Sequence, residues 1–246
     1  MFPLPKSGSA PLLCYVTDRS LFAAERALAQ KTLLKRIATA AAAGVDWIQI
    51  REKDLSGKEW SELTREAMKL ARNAVRDDAP DTGESSSSRL VVAPAKAPHA
   101  RILINDRLDV ALAAHAGGVH LGEQSLPPQE ALQLRKRLER EDFLIGVSCH
   151  SSEAATHAAR GGSDYLFFGP VFATPSKAAY GAPQGLDRLS EVCRAVTLPV
   201  LAIGGITPDN AAACLSAGAF GIAAVRLFQD ARDLPAVIKA LRRMSR

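Results

Sequence analysis

The chain has 246 residues, enough for one large domain or two small ones, and 47% of its residues are hydrophobic. This composition is typical of a globular protein and excludes disorder throughout the chain. The net charge of +5 is spread along the sequence without a basic stripe or interleaved aromatic residues, which argues against a nucleic-acid-binding protein and favours a mildly basic pocket.

The cysteines and the amino terminus bear on the cellular compartment. Cys14, Cys149, Cys193 and Cys214 are widely separated, and their spacing is not that of a zinc site or a redox dithiol, so we expect reduced thiols in the core. The first ten residues lack an apolar signal region, and no run of 18 apolar residues occurs. We therefore expect a cytoplasmic protein with no membrane partner and a flexible terminus over residues 1–10.

One local pattern recurs along the chain: small residues that end a helix, then a glycine, then a strand. It occurs at residues 43–48, 116–121, 160–165 and 217–222. Glycine is favoured just past a helix because it adopts the left-handed backbone conformation without a Cβ penalty. The repeated pattern predicts strands that alternate with helices, as in a parallel sheet with right-handed crossovers.

Eight such units fit between residues 11 and 246. We predict strands near residues 12–16, 45–50, 101–104, 118–121, 143–147, 165–168, 199–202 and 221–225. We predict helices near residues 32–43, 58–76, 108–116, 128–139, 152–159, 186–195, 208–217 and 234–244. Eight repeats predict an α/β protein with a single (β/α)8 TIM barrel of parallel strands. An open doubly wound sheet is the alternative, but it would require a glycine-rich turn after the first strand, where this chain has Thr17-Asp18-Arg19.

One segment, at about residues 77–100, does not fit the barrel pattern. It contains four consecutive serines and several prolines, and it is too polar to pack. It follows the second predicted helix, which places it on the face opposite the loops that follow the strands. We expect a disordered insertion that interrupts the barrel, and we favour a tolerated surface insertion over a partner-binding role.

The ends of the second and third strands carry the first candidate site residues, since barrel enzymes place reactive groups there. Strand alternation puts Gln49, Arg51 and Lys53 on one side, and two cations with an amide suit a diphosphate. An exposed row of charges is the structural alternative. Asn105 and Asp106 follow the third strand, where they would either cap a helix or, beside a diphosphate, allow the aspartate to hold Mg²⁺.

The loop after the sixth strand carries a second group of candidates. Thr174, Ser176 and Lys177 supply two hydroxyls and an ammonium, which suit an anionic substrate. Nearby glycines leave this loop free to close as a lid. An ordinary solvated loop is the alternative.

The ends of the fifth, seventh and eighth strands add further candidates. His150, which follows Ser148, either exchanges protons near neutral pH or lies beside a helix cap. Gly204 and Gly205 precede a helix start, and their backbone N–H groups predict a phosphate cradle in the usual place for barrel enzymes. Arg226 adds a guanidinium on the same side.

Together these motifs resemble thiamine phosphate synthase and its relative, the thiazole tautomerase. The matching stretches lie in family order at residues 49–53 (QIREK), 105–109, 118–122, 146–150, 169–177 and 202–206. The resemblance implies a (β/α)8 barrel that joins a pyrimidine methyl diphosphate to a thiazole phosphate and releases diphosphate and thiamine phosphate. The implied partners are these phosphorylated small molecules, and whether the chain forms a homo-oligomer stays open.

The resemblance also implies roles for individual residues. The diphosphate would be held by Gln49, Arg51, Lys53, Asn105 and Lys177. Mg²⁺ would bind to Asp106, and Ser148 would lie near the pyrimidine. The thiazole phosphate would meet Thr174, Ser176, Gly204, Gly205 and the backbone after the eighth strand.

Two positions depart from the synthase pattern. Ser125 stands where the synthase usually has a second metal-binding aspartate, and Arg226-Leu227 replaces a small Ser-Ala pair. A serine at the metal position resembles the tautomerase, in which the histidine matching His150 would move a proton. The retained diphosphate residues favour the synthase. A third hypothesis is a catalytically silent barrel that binds a thiamine precursor.

Overall fold

The computed structural model describes residues 10–74, 99–174 and 182–245. Its strands are β1 (Leu12–Val16), β2 (Trp47–Ile50), β3 (Arg101–Asn105), β4 (Gly118–Leu121), β5 (Leu144–Cys149), β6 (Tyr165–Phe168), β7 (Val200–Ile203) and β8 (Gly221–Ala224). All neighbouring pairs are parallel, and β8 pairs with β1, so the sheet closes into a barrel. The prediction of a (β/α)8 barrel is confirmed.

Helices alternate with the strands around the outside of the barrel. They are α1 (Arg26–Ala42), α2 (Gly57–Asn73), α3 (Leu108–Ala113), α4 (Pro128–Arg137), α5 (Ser152–Arg160), α6 (Gly185–Ala195), α7 (Pro208–Ser216), α8 (Arg226–Gln229) and α9 (Leu234–Arg242). Within the described ranges, no helix combines the length and the apolar character needed to cross a membrane.

The element boundaries follow the predictions closely, with two differences among the helices. Helix α1 begins at Arg26, well before the predicted start at residue 32, and its first turn is mostly exposed. Helix α8 was not predicted, because four residues are too few to show a helical period. Ala100 at the end of the predicted insertion is buried, while residues 77–98 lie outside the described part of the chain.

The buried side chains form two layers. The larger cluster lies between the strands and the helices, and a smaller one fills the barrel. The barrel interior contains Trp47, Tyr165 and Phe167 among aliphatic side chains. Cys14, in this inner cluster, is a free buried thiol, as predicted. A filled interior leaves the carboxyl ends of the strands as the place where polar side chains gather.

Gly146 on β5 makes room for the aromatic ring of Tyr165 inside the barrel. A Cβ at this position would lie 2.0 Å from Cζ of Tyr165. We expect Gly146→Ala to lower the free energy of unfolding by about 1–3 kcal/mol, since the ring must leave its place in a packed core. Gly57→Ala is the matched control, because its Cβ would meet only the end of the flexible Arg107 side chain. Equal stability of the two variants in denaturant unfolding would contradict this expectation.

Candidate active site

Polar side chains gather where β2, β3, β4 and β5 end. Gln49, Asn105 and His120 are all at least nine-tenths buried, and Ser148 is half-buried. The parallel register places Asn105 opposite His120 and Gln49 opposite Leu103. Because a buried polar group without a partner is costly, the hydrogen bonds of these side chains determine what the site can bind.

A chain of hydrogen bonds joins Asp106, Asn105 and Gln49. The Nδ2 amide of Asn105 donates to Oδ2 of Asp106 over 2.7 Å, and Nε2 of Gln49 donates to Oδ1 of Asn105 over 2.7 Å. An ionised carboxylate can only accept, so it fixes the orientation of the Asn105 amide. The oxygen of that amide then faces Gln49 and fixes the second amide in turn.

This order leaves one acceptor without a partner. Oε1 of Gln49 is buried and has no hydrogen-bond partner among the described residues. An amide oxygen does not attract the oxygens of a diphosphate, whereas it accepts a hydrogen bond from an amine. Oε1 of Gln49 is therefore available to an N–H donor, and the diphosphate role of Gln49 stays a prediction.

Asp106 is also bound from the side of β4. Its backbone has a φ of 59°, a left-handed conformation that aspartate tolerates better than most residues. Oδ1 accepts a 2.7 Å hydrogen bond from the backbone N–H of Gly122 and a short one from the hydroxyl of Ser125. Glu123 lies instead beside His150, with 3.9 Å between Oε2 and Nε2. Ser125, and not Glu123, is therefore the side chain that meets Asp106.

These residues fit Mg²⁺ only as a partial site. Asp106 supplies one carboxylate and Ser125 a hydroxyl, and within residues 10–74, 99–174 and 182–245 no three His, Cys, Asp or Glu side chains are grouped as metal ligands. Mg²⁺ commonly binds one or two carboxylates together with substrate phosphates and water. Asp106 therefore fits a magnesium ion whose remaining ligands come from a bound diphosphate.

Restoring a second carboxylate should strengthen this site. In Ser125→Asp the two carboxylates repel each other without metal, and Mg²⁺ relieves that repulsion. A tenfold gain in affinity would make Mg²⁺ with inorganic diphosphate raise the Tm of the variant by about 3–5 °C more than that of the parent. Gln124→Asp, which adds the same charge at the exposed neighbouring position, is the control for thermal unfolding with and without Mg²⁺. An equal response of parent and variant would contradict the partial site.

The two cations after β2 are separated by a buried acid. Arg51 is half-buried and Lys53 is exposed, while Glu52 between them is only 2% exposed. Glu52 accepts hydrogen bonds from the hydroxyl of Thr17 over 2.6 Å and from the guanidinium of Arg19 over 3.1 Å. This pairing ties the loop after β1 to the loop after β2 and holds the backbone that carries both cations.

Arg19 lies at the centre of that connection. Its guanidinium also forms two hydrogen bonds with Asp54, of 2.7 and 2.8 Å. Burial raises the pKa of the Glu52 carboxyl, and hydrogen bonds from Thr17 and Arg19 oppose that rise. Hydrogen bonds from Arg19 lower the pKa of Asp54, which is almost fully solvated.

His120 connects the barrel interior with Ser148. Its Nε2 lies 2.9 Å from Oγ of Ser148, and its Nδ1 lies 3.1 Å from the hydroxyl of Tyr165. Burial lowers the pKa of His120 to about 3, with Asp106 raising it and Arg51 lowering it. The imidazole is therefore neutral at physiological pH.

His150 lies on the rim of the same mouth. Its Nδ1 is hydrogen-bonded to the carbonyl oxygen of Gly169, which requires a proton on Nδ1. The other ring nitrogen, Nε2, faces Glu123. Ser148, Ser125 and Glu123 also line a cleft of about 520 Å³ beside β4 and β5.

Gly204 and Gly205 follow β7 in left-handed conformations, with φ of 93° and 67°. A Cβ on Gly204 would lie 2.5 Å from Pro170, and one on Gly205 would lie 2.6 Å from the carbonyl oxygen of Ala173. Only glycine fits this close approach between two loops. Asn210 at the start of α7 donates to the carbonyl of Gly205 over 3.0 Å and fixes the turn.

The remaining predicted site residues are not all described. Thr174 is half-buried beside this turn, while Ser176 and Lys177 lie outside the described residues. Arg226 is exposed as the first residue of α8, at the end of β8. The described part of the site therefore consists of the ends of β2 to β5 and the glycine turn after β7.

Sequence reasoning missed the roles of several residues in this arrangement. His120 and Tyr165 lie in predicted strands but were given no role, and neither were Arg19 and Glu52. The signal for His120 was its place between Gly118 and Gly122 on the inward face of a strand. The signal for Glu52 was an acid at the end of a strand without an obvious partner nearby.

Comparison with known sequences identifies the family of this chain. A family model described as thiamine monophosphate synthase matches residues 84–228, more than half of the chain. A putative thiamine-phosphate synthase from Geobacter sulfurreducens is 40% identical over 195 residues, which cover 79% of this chain and 78% of that protein. A thiamine-phosphate synthase from Moorella thermoacetica is 37% identical over 209 residues, covering 85% of this chain and 86% of that protein.

A solved structure extends the similarity to the whole fold. Thiamine phosphate pyrophosphorylase from Pyrococcus furiosus has a TM-score of 0.72 and 30% sequence identity to this chain, and the match covers 95% of each chain. The family model covers more than half of the chain, and the relatives exceed 30% identity over more than two thirds of it. The chain therefore belongs to the thiamine monophosphate synthase family.

Proposed function

We propose that this chain is a thiamine-phosphate synthase, which joins 4-amino-2-methylpyrimidine methyl diphosphate to thiazole phosphate. The bond between the pyrimidine methylene carbon and the diphosphate oxygen breaks, and diphosphate leaves with the electron pair. The thiazole nitrogen then bonds to the methylene carbon. Family membership supports this activity, and the observation that carries it is the set of Arg51, Lys53, Asn105 and Asp106 at one mouth of the barrel.

The pyrimidine fits the buried end of the site. Its exocyclic amine is a donor that the unpartnered Oε1 of Gln49 can accept. Ser148 lies on β5, three strands farther around the barrel than Gln49 on β2. An electron-rich aminopyrimidine stabilises positive charge on its methylene carbon. The site therefore needs no nucleophilic side chain, only fixed positions for both reactants and exclusion of water.

The diphosphate fits the outer end. Arg51 and Lys53 neutralise the charge that develops on the leaving group, and Asn105 lies beside them. Asp106 would hold Mg²⁺, which supplies further neutralisation of the diphosphate when it is bound. Lys177 and Ser176 remain predicted contacts of the lid.

The thiazole phosphate fits the glycine turn after β7. Gly204 and Gly205 expose backbone at a position where no side chain has room, and Asn210 fixes the turn. Backbone N–H groups before a helix are suited to phosphate. Thr174 and Arg226 are the side chains we place beside this phosphate.

A second candidate is the thiazole tautomerase, which one observation favours. His150 places its Nε2 on the rim, with Nδ1 hydrogen-bonded to the carbonyl of Gly169, and Ser125 replaces the second metal ligand. An imidazole held in a fixed orientation suits movement of a proton on a thiazole carboxylate phosphate. That reaction would not use the cations after β2.

The deciding experiment supplies the purified protein with the pyrimidine diphosphate, thiazole phosphate and Mg²⁺. Formation of thiamine phosphate and diphosphate, retained in His150→Ala, establishes the synthase. Without product, the same sample receives the thiazole carboxylate phosphate tautomer. Turnover that is lost in His150→Ala then establishes the tautomerase, and no turnover leaves a silent barrel that binds its ligand.

The cellular location, the partners and the oligomeric state of the proposed enzyme stay predictions. We expect it to work in the cytoplasm, on small phosphorylated substrates and without a nucleic acid or a membrane. Whether it forms a homo-oligomer is decided by its mass in solution.

A further inference from the structure

A buried hydrogen-bond chain runs from the barrel interior to the half-buried Ser148. The hydroxyl of Tyr165 is 3.1 Å from Nδ1 of His120, and Nε2 of the same ring is 2.9 Å from Oγ of Ser148. Tyr165 and His120 are each 1% exposed. The Tyr165 ring is fixed by the recess at Gly146 and by Trp47, whose ring centroid is 4.6 Å away.

The hydrogen bonds between Tyr165, His120 and Ser148 can be donated in either of two directions. One direction leaves one more hydrogen without an acceptor than the other. A neutral imidazole carries one ring proton, so it donates from one nitrogen and accepts at the other. If Nδ1 carried the proton, Tyr165 would accept it and the phenolic hydrogen would be left without an acceptor in the described interior. If Nε2 carries the proton, Tyr165 donates to Nδ1, and Nε2 donates to Ser148.

The second direction satisfies every buried donor. A phenolic hydrogen left unpaired in a packed apolar interior is destabilising. Burial also raises the pKa of Tyr165 well above its usual value, so the phenol keeps its proton. Among the hydrogens of Tyr165, His120 and Ser148 in these two hydrogen bonds, only the hydroxyl hydrogen of Ser148 then has no acceptor within the series. It is free to bind a ligand.

We propose that Tyr165 and His120 are positioning residues that hold Ser148 as a hydrogen-bond donor toward the substrate. The group that meets Ser148 must therefore be an acceptor. The identity of this acceptor rests on the proposed function: on an aminopyrimidine the acceptor is a ring nitrogen, while the amine is left for Oε1 of Gln49. The two side chains then recognise an acceptor and a donor group of one aromatic base.

The tautomer of His120 tests the proposal without any turnover. Nitrogen NMR of protein with ¹⁵N-labelled histidine distinguishes protonated from unprotonated ring nitrogens, and His120→Gln identifies the signals of this residue among the five histidines. At neutral pH we expect a proton on Nε2 and none on Nδ1. A proton on Nδ1 in the parent protein would overturn the proposal, whatever reaction the enzyme catalyses.

Removal of one hydroxyl tests the effect on the substrate. Tyr165→Phe keeps the ring but removes the donor, so Ser148 can turn its hydrogen toward His120. We expect kcat/KM with the pyrimidine diphosphate to fall about tenfold, the effect of one hydrogen bond to the ligand, while KM for thiazole phosphate is unchanged. Tyr15→Phe is the matched control, because Tyr15 is equally buried and donates to Gln229 on the outer side of the barrel over 3.1 Å.

A purely structural role predicts a different result. Both Tyr→Phe variants would then lose similar stability, and neither would separate the two substrates. Equal kinetics in Tyr165→Phe and Tyr15→Phe would overturn the proposal. If the parent makes no thiamine phosphate, the proposed function fails, but the His120 tautomer still decides whether Ser148 is held as a donor.

Discussion

Arg51→Ala is expected to lower kcat/KM for thiamine phosphate formation by at least about 100-fold, the range found when one preorganised charge-stabilising group is removed. Arg51 is half-buried at the mouth, its backbone N–H donates to Thr17 over 3.1 Å, and its charge affects the pKa of His120. A half-buried guanidinium stabilises the departing diphosphate more than a fully solvated cation would, because the local dielectric constant is lower. The measurement is steady-state release of diphosphate with both substrates.

The control removes the same side chain at the other end of the barrel. Arg72 is exposed in the last turn of α2, and Arg72→Ala should keep the parent's kcat/KM. Calorimetry with inorganic diphosphate separates a loss of binding from a loss of chemistry. Product formation by Arg51→Ala at the parent's rate would show that Arg51 does not face the leaving group.

Glu52→Ala is expected to lower the free energy of unfolding by about 3 kcal/mol, at the lower end of the range for breaking a buried ion pair. Glu52 and Arg19 are 2% and 3% exposed and lie 3.1 Å apart. Without Glu52, the Thr17 hydroxyl and the Arg19 backbone N–H lose their acceptor. The loss stays below the upper limit because Arg19 keeps Asp54.

Asp54→Ala provides the matched comparison at the same arginine. The Asp54 side chain is 70% exposed, so its loss should cost less than about 1 kcal/mol. Guanidinium unfolding of both variants gives the two values under one condition. A larger loss in Asp54→Ala than in Glu52→Ala would show that the solvated partner, and not the buried one, holds the two loops together.

Much of this fold could be predicted because local signals and tertiary packing agree. The predicted strands at 118–121 and 165–168 coincide with β4 and β6, where apolar runs begin just after a glycine or a short polar turn. Helix α1 begins earlier than predicted because its first turn, Arg26 to Gln30, is largely exposed and shows little apolar periodicity. Helix α8 stayed invisible because its buried residues depend on packing against α9 and not on a repeat.

The candidate site also has features that could be predicted from the sequence and features that could not. The sequence placed Asn105, Asp106 and Ser148 correctly at strand ends, because strand order in a barrel determines which residues meet at its mouth. The donor and the acceptor of each hydrogen bond could not be predicted from the sequence, since they depend on which side chains come into contact. Gln49 is the example: its place was predicted, but its free amide oxygen follows only from the contact with Asn105.

Besides its proposed role in metal binding, Asp106 orients two neighbouring amide side chains. Its negative charge selects one of two directions for the amides of Asn105 and Gln49. In Asp106→Asn the new amide could donate as well as accept, so both neighbouring amides would be free to turn over. The effects of substitutions at positions 106 and 49 on substrate binding should therefore be non-additive. Asp106, the proposed ligand of Mg²⁺, also orients the Gln49 amide that would bind the pyrimidine.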